Sequence, residues 1–137
     1  MQKNKIILLI DDDKEICALT KSVLEKTGHY DVIVSTQGRD GIALAKSHKP
    51  DLILLDIIMP DMDGTEVARI LSENDSTKTV PIVFLTAIAV PAVFLAALIE
   101  NEELKQRAGQ VGGYYFIQKP ITPNELSARI DAILNKK

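Results

Sequence analysis

At 137 residues, with 16 lysines and arginines against 19 aspartates and glutamates and a formal net charge of -3, the chain fits one domain, 1–137, and is too short for a catalytic domain plus a second module. No basic block marks nucleic acid as a direct partner. The single cysteine, Cys17, cannot form an internal disulfide and falls among the apolar positions of a predicted helix, where it reads as a small core residue.

Lys5 to Ile10 reads as a buried strand that stops at Asp11-Asp12-Asp13. No basic, apolar, small-residue leader opens the chain, which makes the cytoplasm its expected location. Ile16, Leu19, Thr20, Val23 and Leu24 then recur at helical spacing, with Asp13 able to cap the start and Gly28 to close the end. Tyr30 to Ser35 is a β-branched strand, and Gly38 to Ser47 a helix carrying Ile42, Leu44 and Ala45 until Lys49-Pro50 stops it. Leu52 to Leu55 is a continuous apolar run, the pattern of a central parallel strand buried on both faces. Asp56 sits at its carboxyl end, and Pro60 and Asp63-Gly64 break the chain straight afterwards, so Asp56 is expected to face a solvent-accessible crevice. An acid in that place, taken alone, reads equally well as a strand-end cap.

Thr65 to Glu73 is the third predicted helix, with Val67, Ile70 and Leu71 on its apolar face, and Asp75-Ser76-Thr77 turns the chain toward a fourth strand, Val80 to Thr86. From Val80 to Ile99 there is no charged residue, a length near that of a membrane helix. Pro81 and Pro91 interrupt this span and Thr86-Ala87 divides it, so strand, loop and buried helix explain it without a bilayer. A fourth helix is predicted over Val93 to Arg107, a fifth strand over Tyr114 to Gln118 ending at Lys119-Pro120, and a last helix capped by Thr122 with Glu125 three residues on. That helix puts Leu126, Ile130, Ile133 and Leu134 on one face and is expected to run to Lys136-Lys137, with no effector domain expected after it. Five strands alternating with five helices imply an α/β fold, a parallel sheet covered on both sides.

The strand tips carry Asp11-Asp12, Asp56, Thr86 and Lys119, and a common crevice would bring them together. Carboxylates crowded in one place repel unless a cation offsets them. Oxygen-only ligation suits Mg²⁺, or Mn²⁺ in its place. Lys119 adds a fixed positive charge, so the pocket is built to receive an anion beside a carboxylate, most naturally a phosphoryl group.

Asp11-Asp12 after Leu-Leu-Ile, Asp56 within Leu-Leu-Asp-Ile-Ile-Met-Pro-Asp-Met-Asp-Gly, Phe-Leu-Thr86-Ala87 and Lys119-Pro120 follow one another in this order. As a set they resemble the receiver domains of two-component response regulators, of the single-domain, CheY-like kind. The resemblance implies a flavodoxin-like (βα)5 doubly wound fold with sheet order 2-1-3-4-5. It implies that Asp56 accepts phosphate from a sensor histidine kinase or a histidine phosphotransfer protein. It further implies that Asp12, Asp56 and the Ile58 carbonyl hold Mg²⁺, with Asp11 acting through bound water. Lys119 would pair with a phosphoryl oxygen, Thr86 would swing its hydroxyl toward the phosphate with the Ala87 amide, and Phe116 would change rotamer in step. A downstream protein target would then read the face made by the fourth helix, fifth strand and last helix. Such a chain catalyses only its own phosphorylation and dephosphorylation.

Thr86 and Lys119 lie 33 positions apart, longer than in the receivers it resembles, so the fourth helix or the loop before it is expected to be extended. Residues 87–99 are unusually apolar there; a longer core helix is the plainer reading, and an exposed docking patch, for a homodimer or a partner helix, the sharper one. Ile58 is apolar and its side chain cannot position an attacking water, which allows a slow loss of phosphate. Two rival readings stand beside the receiver. Asp61-Met62-Asp63-Gly64-Thr65 matches the Asp-x-Asp-Gly-Thr signature of haloacid-dehalogenase-like phosphatases, although Pro60 precedes it and the apolar strand ends earlier, at Asp56. A receiver-like interaction module that is never phosphorylated is the other, and the intact acid set argues against it.

Overall fold

The apolar runs of the sequence become strands: β1 (Lys5–Ile10), β2 (Tyr30–Ser35), β3 (Leu52–Asp56), β4 (Ile82–Thr86) and β5 (Tyr114–Gln118). They pair in a computed structural model that describes residues 4–57, 59–86, 114–118 and 122–135. All pairings are parallel, and the sheet has the order β2-β1-β3-β4-β5, as the resemblance implied. Helices α1 (Lys14–Lys26), α2 (Gly38–His48) and α3 (Gly64–Glu73) and the last helix (Pro123–Leu134) complete the described elements. The predicted helix over Val93 to Arg107, and with it the extended connection and the apolar segment 87–99, lies outside the described residues. Among the described residues no helix is long and apolar enough to cross a membrane.

Successive strand residues point to opposite faces, and this splits the core in two. Leu8, Ile10, Ile53, Leu55, Ile82 and Phe84 pack with Ile42 and Ala45 of α2 and Val67, Ala68 and Leu71 of α3. On the other face Ile7, Leu9, Leu52, Leu54, Val83 and Leu85 pack with Cys17 and Leu24 of α1 and Leu126 and Ile130 of the last helix. Leu52 to Leu55 are all fully buried, which is why that run lacks the alternation of a half-exposed strand.

With both faces apolar, hydrophobicity alone does not choose between neighbouring registers. A polar pair does so for β1 and β3: the Ile6 amide donates to an Asp51 carboxylate oxygen at 2.7 Å, and the Asp51 amide donates to the Ile6 carbonyl at 2.7 Å.

Helix ends follow local chemistry. Asp13 caps α1 by accepting from the amides of Glu15 and Ile16, Gly28 takes the left-handed backbone just beyond it at φ 78, and Thr122 caps the last helix by accepting from Glu125 N. Two expectations shift. Leu19, expected on the apolar face of α1, is 59% exposed while Cys17 is buried; two residues along a helix is a turn of about 200°, which carries position 19 away from the sheet. The fourth strand starts at Ile82 rather than Val80, because the Val80 amide closes a turn onto the Thr77 carbonyl and Pro81 has no amide to give.

The outer edge at β2 is covered from α1. The Val32 amide donates to Glu25 Oε2 at 3.1 Å, the Val32 carbonyl accepts from Lys21 Nζ at 2.7 Å, and Lys21 and Glu25 pair with each other at 3.1 Å. The Val32 amide first, and Lys21 second, hold the Glu25 carboxyl below its usual range.

Tyr30 is buried and ties the sheet to the last helix, its hydroxyl donating to Asp131 Oδ1. Burial first, and then the Asp131 carboxylate, push the phenol above its ordinary range. A raised folded-state value means that this stability is present below the unfolded value of about 10 and is lost as pH rises beyond it. Tyr30→Phe should therefore lower unfolding free energy by about 1–2 kcal/mol at neutral pH. Urea unfolding from pH 7 to 11 should show the variant losing less stability than the native chain over the alkaline limb; parallel pH profiles would remove Tyr30 from the account.

Candidate functional site

Parallel pairing decides which strand tips are neighbours. Ile10 of β1 is partnered with Leu55 of β3, so Asp11 and Asp56 stand side by side as each strand passes its last shared pair. Asp56 is in turn partnered with Leu85, and Thr86 with Gln118, the residue before Lys119. Because every strand runs the same way, these tips collect at one sheet edge, where open α/β folds place their ligands.

Three consecutive acids at the end of β1 do different work. Asp13 is spent on the α1 cap. Asp11 is 1% exposed; its amide donates to Ser35 O at 3.0 Å, its Oδ1 accepts from Asp13 N at 3.0 Å, and its carbonyl accepts from the Cys17 thiol at 3.2 Å. Asp12 is exposed and Asp56 half-buried. Carboxylate oxygens of Asp11, Asp12 and Asp56 all lie within 4.8 Å of one another. Oxygens bound to one Mg²⁺ at about 2.0–2.1 Å stand at most about 4.2 Å apart, so this spread suits donors that share one hard cation directly or through bound water. The donor set is oxygen alone, which fits Mg²⁺ or Mn²⁺ and not a thiolate-preferring metal.

After Asp56 the chain turns sharply back into α3. The Gly64 amide donates to Ile57 O at 2.7 Å, and Asp63 caps α3 through Thr65 N at 3.0 Å. A Cβ at Gly64 would collide with the Asp56 carbonyl oxygen and lie 2.8 Å from Ile57 Cα. Backbone, unlike a side-chain tip, cannot swing aside.

Of the residues expected at the site, Asp11, Asp12 and Asp56 are brought together. Thr86 and Phe116 belong to β4 and β5. The Thr86 hydroxyl and the Phe116 ring, together with Ile58, Ala87 and Lys119, lie outside what the structure describes. The two acids of the phosphatase-like signature are engaged elsewhere: Asp63 in the α3 cap, and Asp61 with the amides of Gly38 and Arg39.

The model of one family, the response regulator receiver domain, matches residues 7–131. The chain belongs to that family. As a receiver it is a phosphate-accepting signalling module with an acidic cluster able to take a metal ion. It is similar to the alkaline phosphatase synthesis transcriptional regulatory protein PhoP of Bacillus subtilis, 36% identical over 134 residues that make up 97% of this chain and 50% of PhoP. It is also similar to the protein PilH of Pseudomonas aeruginosa, 30% identical over 128 residues, 93% of this chain and 96% of PilH. The chain thus spans about half the length of PhoP, the first of these relatives, and nearly all of PilH. Among solved structures, a CheY-like response regulator receiver domain protein from Methanospirillum hungatei superposes with a TM-score of 0.81 at 27% identity, covering 98% of this chain and 96% of that one.

Some of what holds the receiver's site is silent in the sequence. The Cys17 thiol under Asp11, the Gly64 fit against the Asp56 carbonyl and the reach of Asp61 to α2 are all tertiary. Gln37, a poor capping residue at the start of α2, is the one local hint of the last. Gly64→Ala should cost about 1–3 kcal/mol of stability, the scale of overpacking against groups that cannot yield. Urea unfolding followed by circular dichroism would measure it, and a native-like midpoint would mean that the turn after Asp56 relaxes freely.

Proposed function

We propose that this receiver works as a phosphorylation switch in which Asp56 is the acceptor. A carboxylate oxygen of Asp56 attacks the phosphorus of a phosphohistidine on a sensor histidine kinase or histidine phosphotransfer protein. The new O–P bond forms as the N–P bond breaks, the imidazole leaves with its electron pair, and Asp56 becomes an acyl phosphate. Supporting this choice among the three acids is their environment. Asp11 is buried and already accepts the Asp13 amide, and Asp12 is exposed on the loop, whereas Asp56 ends the central strand, half-buried, with the other two carboxylates within 4.8 Å. That juxtaposition carries the reading.

Asp12 and Asp56, with the Ile58 carbonyl, would hold Mg²⁺, and Asp11 would act through water. A bound Mg²⁺, or Mn²⁺, would offset the mutual repulsion of the carboxylates and the charge of the incoming phosphoryl group. Lys119 would pair with a phosphoryl oxygen. Thr86 and the Ala87 amide would close on it and Phe116 would follow, shifting the population of the face that a downstream protein target binds. We read the whole of 1–137 as one such receiver acting in the cytoplasm, without nucleic acid or membrane contact of its own.

Intact mass after incubation with Mg²⁺ and acetyl phosphate should show one phosphoryl adduct on the native chain, none without the cation and none on Asp56→Asn. An adduct that survives in Asp56→Asn would move the acceptor elsewhere, and none on the native chain would favour an interaction module that is never phosphorylated.

A further inference from the structure

Cys17 is the small core residue that its place in the sequence suggests, and it is also a donor. Its side chain is 2% exposed and packs with Ile7, Leu9 and Leu54 on the sheet face that α1 covers. From there the thiol donates to Asp11 O at 3.2 Å. That oxygen belongs to the peptide unit joining Asp11 to Asp12, two of the three acids whose carboxylate oxygens lie within 4.8 Å of one another.

A peptide unit is a rigid plane, so its orientation sets the directions in which the residues at both its ends project their side chains. The planes before and after this one have holds of their own. Asp11 N donates to Ser35 O of β2 at 3.0 Å, and Asp13 N donates to Asp11 Oδ1 at 3.0 Å. The plane between them is gripped from α1. Cys17 is a firm point from which to grip it, because its own amide donates to Asp13 O at 3.0 Å and its side chain is packed into the core. Asp12 is exposed, so the direction of its carboxylate depends on the backbone beneath it rather than on packing.

Resting on the reading of the three acids as a cation site, we propose that Cys17 is a positioning residue for it: through the carbonyl between Asp11 and Asp12, its thiol holds the two carboxylates in the directions that let them share one cation with Asp56.

Two substitutions separate this role from core packing. Serine at position 17 keeps a donor but has less apolar bulk, valine keeps apolar bulk but has no donor, and neither alters the charge around the acids. Mn²⁺ binding, read as the loss of the free ion's electron paramagnetic resonance signal, and melting temperature should therefore part company. Cys17→Val should melt close to the native chain and bind Mn²⁺ about fivefold more weakly, somewhat less than the tenfold or more that lost outer support costs at metal sites, because a thiol is a weak donor. Cys17→Ser should melt lower and bind Mn²⁺ as the native chain does. Cys17→Ala, with neither donor nor bulk, should lose on both counts.

Native-like Mn²⁺ affinity in Cys17→Val or Cys17→Ala, equal weakening in Cys17→Ser and Cys17→Ala, or a native chain that binds no Mn²⁺ would overturn the proposal. Should Cys17→Val fail to fold, Cys17→Ser and Cys17→Ala, alike in size and differing by one hydroxyl, carry the same comparison. Failure of the acceptor reading shows elsewhere, as a missing phosphoryl adduct on a native chain whose Mn²⁺ affinities still rank in this order.

Discussion

Two hydrogen bonds at one end of the sheet govern the chemistry at the other. Asp51 accepts from the Ile6 amide through its side chain and returns a bond to the Ile6 carbonyl through its own amide, setting β3 against β1 where the strands enter the sheet. Five residues later on each strand stand Asp56 and Asp11. A slip by one residue would still bury apolar side chains on both faces, since Leu52 to Leu55 are interchangeable in kind, but it would separate the two carboxylates by a full residue's rise of about 3.3 Å. The register of the core and the geometry of the site are therefore one constraint.

That constraint concentrates negative charge. Three acids within a few ångströms are an electrostatic load on the folded chain, and a buried Asp11 is tolerated because its polar atoms are engaged: the Asp13 amide on its carboxylate, the Cys17 thiol on its carbonyl and the Ser35 carbonyl for its amide. The surroundings share the work. Asp13 and Asp63 are given to helix starts, which fixes the chain leaving β1 and the chain entering α3, so the loops on either side of the cluster are held by their own helices. The apolar bulk of the sheet, by contrast, makes no demand on the site beyond holding the strands still.

Much of this is legible in the residues. Strand and helix positions follow from apolar runs and helical spacing, and the acids at the strand tips point to a cation and a phosphoryl group by their charge and placement alone. The strand order is not legible in the same way, because alternation of elements gives a parallel sheet but not the sequence of its strands; that comes with the resemblance and is what the sheet shows. Leu19 misleads because a helix of mixed composition offers more than one plausible face. Val80 misleads because a turn bond to Thr77 competes with the strand for its amide. Asp61 cannot be read at all: helix-capping rules look one to three residues ahead, and its partners are 22 and 23 positions behind. Thr86 falls at a strand tip in the sequence, and β4 ends at that residue, partnered with Gln118 of β5.

The ion pair on α1 that grips Val32 bears on how this molecule lives among its own copies. An exposed outer strand is a template on which another extended chain can add, hydrogen bond by hydrogen bond. Here Val32 of β2 already has its backbone donor and its backbone acceptor occupied by charged side chains, so an incoming strand would have to strip a lysine and a glutamate from their partners before bonding to that residue. The sheet is in effect hemmed along that side, and crowding many such molecules together does not by itself stitch their sheets into a longer one there.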